Sequence, residues 1–160
     1  MKDATAYVCG LGFYEFSLNG EKVGDSEFAP LWSDYDKSVY YNTYDVTSQV
    51  KKGGNAIGVL LGNGFYNVQG GRYRKLQISF GAPTLRFRMV VNYEDGTSET
   101  IVSGKDWKYD FSPVLFNCIY GGEDYDARRE QKGWNMFGFK EQDWHPVVIQ
   151  EAPKGCFVRR

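Results

Sequence analysis

The segment formed by residues 62–67 combines the side-chain types that recognise a sugar. It reads Gly-Asn-Gly-Phe-Tyr-Asn and follows an apolar, strand-like stretch. Sugars present weakly apolar C–H faces and hydroxyl rims, so a site for them needs an aromatic ring beside amides or carboxylates. The two glycines would let the backbone approach a ligand closely. The candidate carbohydrate-binding residues of this segment are Asn63, Phe65, Tyr66 and Asn67. The alternative is that these rings only fill a core or a turn.

A cluster of acidic residues offers a second possibility for chemistry. Glu123-Asp124-Tyr125-Asp126 is followed at once by two arginines, Arg128 and Arg129. The acids could pair with the arginines and orient a loop, which is the ordinary structural role of such a cluster. Glu123 and Asp126 could instead accept hydrogen bonds from sugar hydroxyls or ligate an ion. Because a glycosidase requires only two carboxylates flanking the scissile bond, catalysis is a third alternative.

Other catalytic signatures are absent from the sequence. His145 is the only histidine, and it lies between Trp144 and Pro146 without a Gly-x-Ser-x-Gly motif elsewhere, so we expect a structural role in a turn. Cys9, Cys118 and Cys156 form no C-x-x-C pair. We therefore expect them to be free thiols in an apolar interior rather than disulfide or zinc partners.

Charge and hydropathy exclude two classes of partner. The chain of 160 residues carries 19 basic and 20 acidic side chains, and no basic stripe is present that could bind a phosphate backbone. The longest apolar run falls well short of a membrane span. We predict neither nucleic acid nor membrane as a partner. The first residues contain no apolar signal-peptide region, and the compartment is not indicated.

The period of hydrophobicity is two almost throughout, which predicts strands. In the clearest segment, residues 84–93, apolar side chains alternate with Arg86, Arg88 and Asn92. A turn at residues 94–96 predicts a hairpin with residues 97–102, and Asn19-Gly20 predicts another. Further strands are predicted over residues 6–9, 39–44, 56–61, 107–109, 114–119 and 147–149. The best helical hint, a polar-capped turn, covers residues 45–50.

Many short strands separated by Gly, Pro, Asn and Asp turns indicate an all-β fold. We predict a single domain, a jelly-roll-like antiparallel β-sandwich of about eight to ten strands. Residues 1–150 would form the sandwich. Residues 151–160 begin with the turn-rich stretch Glu-Ala-Pro-Lys-Gly and would form a linker toward a further domain.

The order of several motifs resembles the N-terminal accessory domain of bacterial α-L-rhamnosidases. The resemblance covers nearly the whole chain. The motifs that carry it are Gly12-Phe13-Tyr14-Glu15, Leu18-Asn19-Gly20-Glu21-Lys22-Val23-Gly24, Ala29-Pro30-Leu31-Trp32-Ser33-Asp34-Tyr35, Tyr44-Asp45-Val46-Thr47, Asn55 to Tyr66, Tyr93-Glu94-Asp95-Gly96, Gly122 to Arg128, and Trp144.

The resemblance implies a larger parent enzyme, an inverting glycoside hydrolase that releases terminal α-L-rhamnose. In that family the acid and base are glutamates on a separate helical barrel, C-terminal to this domain. The resemblance therefore implies that this fragment has no catalytic residue and that its partners are rhamnose-containing glycans and the other domains of the parent chain. It implies a bacterial protein, whether periplasmic, secreted or cytoplasmic.

Some relatives use this sandwich as a calcium-dependent L-rhamnose-binding module. By that resemblance the site would be formed by residues 63–68 and 117–126, so that Asn117 joins the candidate carbohydrate-binding residues. Asn67 and Asn117 are the candidate calcium ligands, because calcium takes several oxygen ligands. The family's Gly-Asn-Gly-Trp motif has Phe65 in place of its tryptophan, which keeps an apolar face and loses a donor. The alternative is a purely structural scaffold between domains, without a sugar site.

Overall fold

The computed structural model describes residues 1–70, 72 and 74–160, and strands account for most of the regular structure. These residues form fourteen strands and one 3₁₀ turn, Ala127–Arg129, and five of the strands contain only two residues. The strands are β1 (Asp3–Leu11), β2 (Phe13–Leu18), β3 (Glu21–Lys22), β4 (Ser38–Asp45), β5 (Ile57–Gly62), β6 (Asn67–Val68), β7 (Ile78–Ser79), β8 (Thr84–Asn92), β9 (Ser98–Val102), β10 (Lys108–Tyr109), β11 (Val114–Cys118), β12 (Gly122–Tyr125), β13 (His145–Pro146) and β14 (Cys156–Arg159).

Two sheets form the body of the fold. One has five strands in the order β14-β4-β1-β8-β9, and the other has three in the order β3-β2-β5. Every pairing in the two sheets is antiparallel except that of β14 with β4, which is parallel. Three further two-stranded pairs are β6 with β7, β10 with β13, and β11 with β12. The predicted all-β, sandwich-like single domain is confirmed. Among the described residues, no helix is long and apolar enough to cross a membrane.

The main core lies between the two sheets, because the strands alternate as their sequences predict. Val8 on β1 and Phe87 on β8 are paired and point to the same side of the sheet. Both are almost completely buried there. Phe16 on β2 contacts Phe87 from the opposite sheet, with ring centroids 5.4 Å apart. Burying such side chains on the inner faces supplies most of the stabilisation of a sandwich.

A second, smaller core covers the opposite face of β1. It contains Cys9, Leu11, Tyr35, Val39 and Tyr66. Residues with odd numbers on β1 face this cluster because successive side chains of a strand point to opposite sides. The five-stranded sheet is therefore packed on both faces near the end of β1, and this second core supports the loop that follows β5.

Most predicted strands are present, and one is wrong. Both predicted hairpins form, with Asn19 and Gly20 in the left-handed region at φ values of 55° and 86°. Residues 45–50 contain a hydrogen-bonded turn, in which Gln49 and Val50 donate to the Val46 carbonyl. The strand predicted over residues 147–149 is displaced to His145–Pro146, where it pairs with β10, and Val148 and Ile149 are exposed.

The last ten residues contain a strand. Cys156–Arg159 pairs with β4 at the edge of the five-stranded sheet, and the Arg86 guanidinium lies 4.7 Å from the centroid of the Phe157 ring. Residues 151–155 lead into this strand without regular structure. The role of residues 151–160 as a linker to another domain stays a prediction.

Candidate functional site

Six of the seven predicted site residues lie within one hydrogen-bonded loop and the β11–β12 hairpin beside it. Asn63 follows β5, and its backbone N–H donates to Oδ1 of Asn117 at 2.8 Å. Its side-chain amide donates to the Asn117 carbonyl at 3.0 Å, and its Oδ1 accepts from Nδ2 of Asn67 at 2.8 Å. Oδ1 of Asn67 accepts from the Ser79 hydroxyl at 2.8 Å. This network, the amide network, fixes the loop from Asn63 to Asn67 against β11, and it also fixes the position of Phe65.

The loop lies against the turn between β1 and β2 because glycines allow two backbones to approach. Gly12 has a φ of 115°, and a Cβ there would lie 2.2 Å from the Gly62 carbonyl oxygen. Gly64 has a φ of 51°, and a Cβ there would lie 2.9 Å from the backbone nitrogen of Phe13. Only glycine fits without a shift of the backbone. The glycines that the sequence suggested for approach to a ligand therefore serve, in the structure, the approach of one loop to another.

Phe65 lies at the centre of a group of aromatic side chains that we call the ring surface. Its ring is stacked on Trp32, with centroids 4.6 Å apart, and meets Tyr120 and Phe13 edge-on at 6.0 and 6.1 Å. Phe28 contacts Phe13 at 5.4 Å. Trp32 is 52% exposed and Phe28 is 63% exposed. Exposed aromatic patches of this kind mark interaction sites, and a ring face suits the C–H face of a sugar.

The β11–β12 hairpin places polar groups beside the ring surface. Asn117 and Glu123 are directly opposite each other in the antiparallel register, so their side chains lie on the same face. Glu123 is exposed, and it forms no ion pair among the residues that the structure describes. Tyr120 is in the turn between the two strands and contributes its ring to the ring surface. The hairpin thus joins an amide, an exposed carboxylate and an aromatic ring.

The other acids of the cluster are held by arginines. Oδ1 of Asp126 accepts from Nε of Arg128 at 2.8 Å and also caps the 3₁₀ turn by accepting from the Arg128 backbone. These bonds lower the pKa of the Asp126 carboxyl. Asp124 forms an ion pair with Arg72, which lowers its pKa in the same way. Both acids are in the charged form at neutral pH. Asp126 pairs with Arg128, as the structural alternative stated, whereas Asp124 pairs with Arg72 rather than with Arg128 or Arg129.

Two predicted binding residues point inward. Tyr66 is 8% exposed; its hydroxyl donates to the Phe80 carbonyl, and its ring packs on Tyr35 in the second core. Asn67 is 4% exposed and belongs to the amide network. Because Phe65 and Tyr66 are adjacent in the chain, the loop presents one ring to the surface and the other to the interior. Their binding of sugar stays a prediction, and Phe65 is the more accessible of the two.

The geometry does not fit calcium at Asn67 and Asn117. Oδ1 of Asn117 already accepts from Asn63, and Oδ1 of buried Asn67 already accepts from Ser79. Calcium needs six to eight oxygen ligands, usually with carboxylates among them. Among the described residues, no three His, Cys, Asp or Glu side chains come together as a metal site would require.

The remaining candidate side chains have structural surroundings. His145 is exposed on β13, 5.5 Å from the ring of Tyr109. The three cysteines are free; Cys9 and Cys118 are buried, as expected, and Cys156 is exposed, which the sequence did not indicate.

Sequence reasoning missed most of the ring surface. Phe13, Phe28 and Tyr120 were not predicted as site residues, and Trp32 was named only within one of the motifs that carry the family resemblance. They come from four separate parts of the chain and meet only in the folded sandwich. The Tyr-Gly-Gly turn after β11 was the one local signal that could have indicated an exposed ring at a hairpin tip.

Comparison with protein families gives one match over the whole chain. The family model for the α-L-rhamnosidase N-terminal domain matches residues 1–160. An α-L-rhamnosidase of Formosa agariphila is 44% identical over 146 residues, which are 89% of this chain and 15% of that protein. One from Streptomyces avermitilis is 43% identical over 144 residues, which are 90% of this chain and 14% of that protein. The chain therefore spans about a seventh of the length of these curated relatives.

Solved structures give the same result. The α-L-rhamnosidase of Dictyoglumus thermophilum superposes with a TM-score of 0.89 at 42% identity, over 99% of this chain and 17% of that one. The Streptomyces avermitilis α-L-rhamnosidase, solved in complex with L-rhamnose, superposes with a TM-score of 0.88 at 39% identity, over 97% of this chain and 15% of that one.

Proposed function

Because this chain belongs to the family of α-L-rhamnosidase N-terminal domains, we propose that it is a non-catalytic, carbohydrate-binding domain of an α-L-rhamnosidase. The proposed ligand is a terminal L-rhamnose residue. The parent chain would be a glycoside hydrolase that removes this sugar with residues outside the present chain. The relative solved with L-rhamnose supports the choice of sugar.

One observation carries the binding proposal: the ring surface shares the β11–β12 hairpin with Glu123, a carboxylate that has no ion-pair partner among the described residues. The methyl-bearing, weakly apolar face of L-rhamnose would lie on Phe65. Its hydroxyls would donate to Glu123, because an ionised carboxylate accepts hydrogen bonds strongly. The amide network supports this arrangement, since it holds Phe65 and Asn117 in place before the sugar arrives and so lowers the entropy lost on binding.

The ionisation states of Asp124 and Asp126 support a non-catalytic role. A glycosidase needs one carboxyl that stays protonated near neutral pH, and its pKa must therefore be raised. The pKa values of Asp124 and Asp126 are instead lowered by their arginines. These two acids are unsuited to donate a proton to a leaving group.

Calorimetric titration with L-rhamnose tests the binding proposal. We expect saturable binding that falls at least about tenfold in Phe65→Ala and in Glu123→Gln, since about 1.4 kcal/mol corresponds to a factor of ten. Glu94→Gln is the matched control, because Glu94 is exposed in the turn before β9, and it should bind as the unaltered chain does. Equal affinities for all these variants, or no heat at millimolar sugar, would contradict the proposal.

The same titration tests whether calcium takes part in sugar binding. Because the Asn67 and Asn117 oxygens are already used in the amide network, we expect the affinity for L-rhamnose to be the same with added calcium and with a chelator. An affinity that appears only with calcium would mean that the loop rearranges to release those oxygens.

Hydrolysis tests the non-catalytic role. We expect no release of the aryl group from an aryl α-L-rhamnoside by the purified chain. Turnover that is lost in Glu123→Gln would contradict the proposal and favour a small complete glycosidase.

A structural scaffold between domains is the second candidate, and a specific observation favours it. Tyr109, Phe111, Leu115 and Tyr125 on and around β10, β11 and β12 are between 40% and 69% exposed. Such side chains would be covered if another domain packed there. Hydrogen–deuterium exchange of residues 109–125 should then be slower in the intact parent enzyme than in this chain alone. Equal exchange would exclude this surface as an interdomain contact.

A further inference from the structure

Three arginines and three aromatic rings lie together on the outer face of the five-stranded sheet, opposite the main core. Arg88 is directly opposite Tyr7 in the antiparallel register of β8 and β1, so both side chains share this face. Arg159 is likewise opposite Tyr41 in the parallel pairing of β14 with β4. We call this group the arginine face, and its members are Arg86, Arg88, Arg159, Tyr7, Tyr41 and Phe157.

The aromatic rings connect the arginines across the sheet. The ring centroids of Tyr7 and Tyr41 are 6.3 Å apart at an interplanar angle of 54°, and both side chains are half-buried. The Arg86 guanidinium lies 4.7 Å from the centroid of the Phe157 ring, which is 39% exposed. A contact with a ring holds a guanidinium in place without neutralising its charge. Arg86 is therefore positioned above the sheet and remains able to bind an anion.

The positive charges of this face lack carboxylate partners. Within residues 1–70, 72 and 74–160, Arg86, Arg88 and Arg159 belong to no ion pair, and all three are exposed. Arg86 and Arg88 are two residues apart on one face of β8, so their Cβ atoms lie about 7 Å from each other. Asp3 shares this face at the far end of β1, where its Oδ1 accepts from Nδ2 of Asn92. An anion that reached both arginines of β8 would relieve the repulsion between them.

The chemistry of the arginine face suits a sugar that bears a carboxylate. A guanidinium binds a carboxylate through two parallel N–H···O bonds, which fix its orientation as well as its position. The tyrosine rings beside the arginines offer an apolar surface to the C–H side of a pyranose. A uronate, the acid form of a sugar, combines a carboxylate and a pyranose ring in one residue.

From this arrangement we infer that the arginine face is a second carbohydrate site, specific for the uronate residues of an acidic glycan. Arg86 and Arg88 bind the carboxylate, and the Tyr7 ring packs against the sugar. The choice of a sugar acid over other carboxylates rests on the proposed function of the chain as a carbohydrate-binding domain. The geometry of the site does not depend on the ring surface, since no residue belongs to both.

Titration of the isotope-labelled chain with tri-D-galacturonate tests this site, followed by NMR of the arginine side-chain N–H groups and the tyrosine rings. We expect saturable shifts at Arg86, Arg88 and Tyr7. The fully methyl-esterified trisaccharide keeps the pyranose rings and loses the charge, so it should bind at least about tenfold more weakly, which corresponds to ~1.4 kcal/mol. Added salt should weaken the binding of the acid, because it screens exposed charges. Equal affinity for the acid and the ester would overturn the inference.

Substitution of the arginines tests the same site from the protein side. Arg86→Gln and Arg88→Gln should each weaken the binding of trigalacturonate at least about tenfold. Arg129→Gln is the matched control, because Arg129 is exposed in the 3₁₀ turn outside this sheet and its loss changes the net charge equally. Circular dichroism checks that each variant is folded. If Arg86→Gln, Arg88→Gln and Arg129→Gln bind alike, the arginine face is not the site.

A triglutamate peptide distinguishes a sugar acid from an acidic protein surface. We expect it to bind at least about tenfold more weakly than trigalacturonate, because it offers carboxylates without a pyranose ring. A peptide that binds as tightly as the trisaccharide would overturn the assignment to a sugar. Binding of neither probe at millimolar concentration would overturn the site altogether.

The uronate site and the proposed function fail in different ways. Arg86→Gln should bind L-rhamnose as the unaltered chain does. If L-rhamnose binds and trigalacturonate does not, the uronate site is wrong and the proposed function stands. If trigalacturonate binds at the arginine face and L-rhamnose does not bind, the uronate site stands and the assignment of rhamnose to the ring surface is wrong.

Discussion

Asn117 shows how one side chain can both hold a loop and border a binding surface. Its Oδ1 accepts the Asn63 backbone N–H, and its main chain pairs with Glu123 across the hairpin. A donor that loses its acceptor in a partly buried position must be desolvated without compensation. The carboxamide of Asn117 is therefore important for stability whether or not it touches a ligand.

We predict that Asn117→Ala lowers the free energy of unfolding by about 1–2 kcal/mol, the usual cost of an unsatisfied, partly buried donor. Urea unfolding followed by tryptophan fluorescence measures it. Gln142→Ala is the control, since Gln142 is exposed, and its effect should stay within about 0.5 kcal/mol. A similar effect for both variants would mean that the amide network does not hold the loop.

The Cys9 thiol gives a second prediction at the scale of a residue. Burial raises its pKa from 9.0 to about 12, although Arg86 acts in the opposite direction. Since the thiolate is the reactive form, Cys9 should not react with iodoacetamide at about pH 8 in the folded chain. Exposed Cys156 should react, and Cys156→Ser should remove this labelling. Rapid labelling of Cys9 in the folded state would contradict its place in the second core.

The same shift predicts how stability depends on pH. The folded chain keeps the Cys9 proton up to about pH 12, whereas the unfolded chain releases it near pH 9. Stability from this group is therefore complete below about pH 9 and is lost as the pH rises toward 12. Cys9→Ala should show a shallower alkaline fall in melting temperature, and Cys156→Ala should not.

At the scale of elements, the close contact between the ends of β1 and β5 depends on glycine. Gly12 and Gly53 both have positive φ, but a Cβ at Gly12 would strike the Gly62 carbonyl, whereas nothing lies within 4 Å of one at Gly53. Alanine substitutions at these two positions therefore distinguish the cost of backbone strain from the cost of a steric clash. Gly53→Ala reports strain alone, and Gly12→Ala reports strain together with the clash.

We predict that Gly53→Ala costs about 1–2 kcal/mol and that Gly12→Ala costs more, because unfavourable φ values alone cost ~1–3 kcal/mol. Chemical denaturation of both variants measures the difference. Gly12→Ala should also weaken L-rhamnose binding by displacing Phe65, while Gly53→Ala should not. Equal stabilities and equal binding would mean that the loop can move away from Gly12 freely.

At the scale of the whole molecule, sequence alternation predicted the long strands and could not predict the short pairs. Thr84–Asn92 has nine residues of alternating character, so its inward face is evident from the sequence. β6, β7 and β13 have two residues each, too few for a period, and β14 follows a turn-rich stretch that resembles a linker. Such strands form only because the rest of the fold offers a partner.

The candidate site was predictable only in part, because the orientation of its rings also depends on tertiary packing. The segment from Asn63 to Asn67 was identified by its composition, but a loop has no period that tells which ring faces outward. The structure turns Phe65 to the surface and Tyr66 to the second core. Trp32 meets Phe65 across more than thirty residues of chain, and this contact follows from tertiary packing that no local pattern contains.

The central claim is that the domain binds L-rhamnose on the ring surface beside the β11–β12 hairpin. Titration of the isotope-labelled chain with L-rhamnose, followed through its backbone and side-chain amide resonances, tests this most directly. We predict saturable shifts concentrated in residues 63–67 and 117–123, including the Asn117 side-chain amide. An unchanged spectrum at saturating sugar, or shifts concentrated at β9 and β10, would contradict the claim.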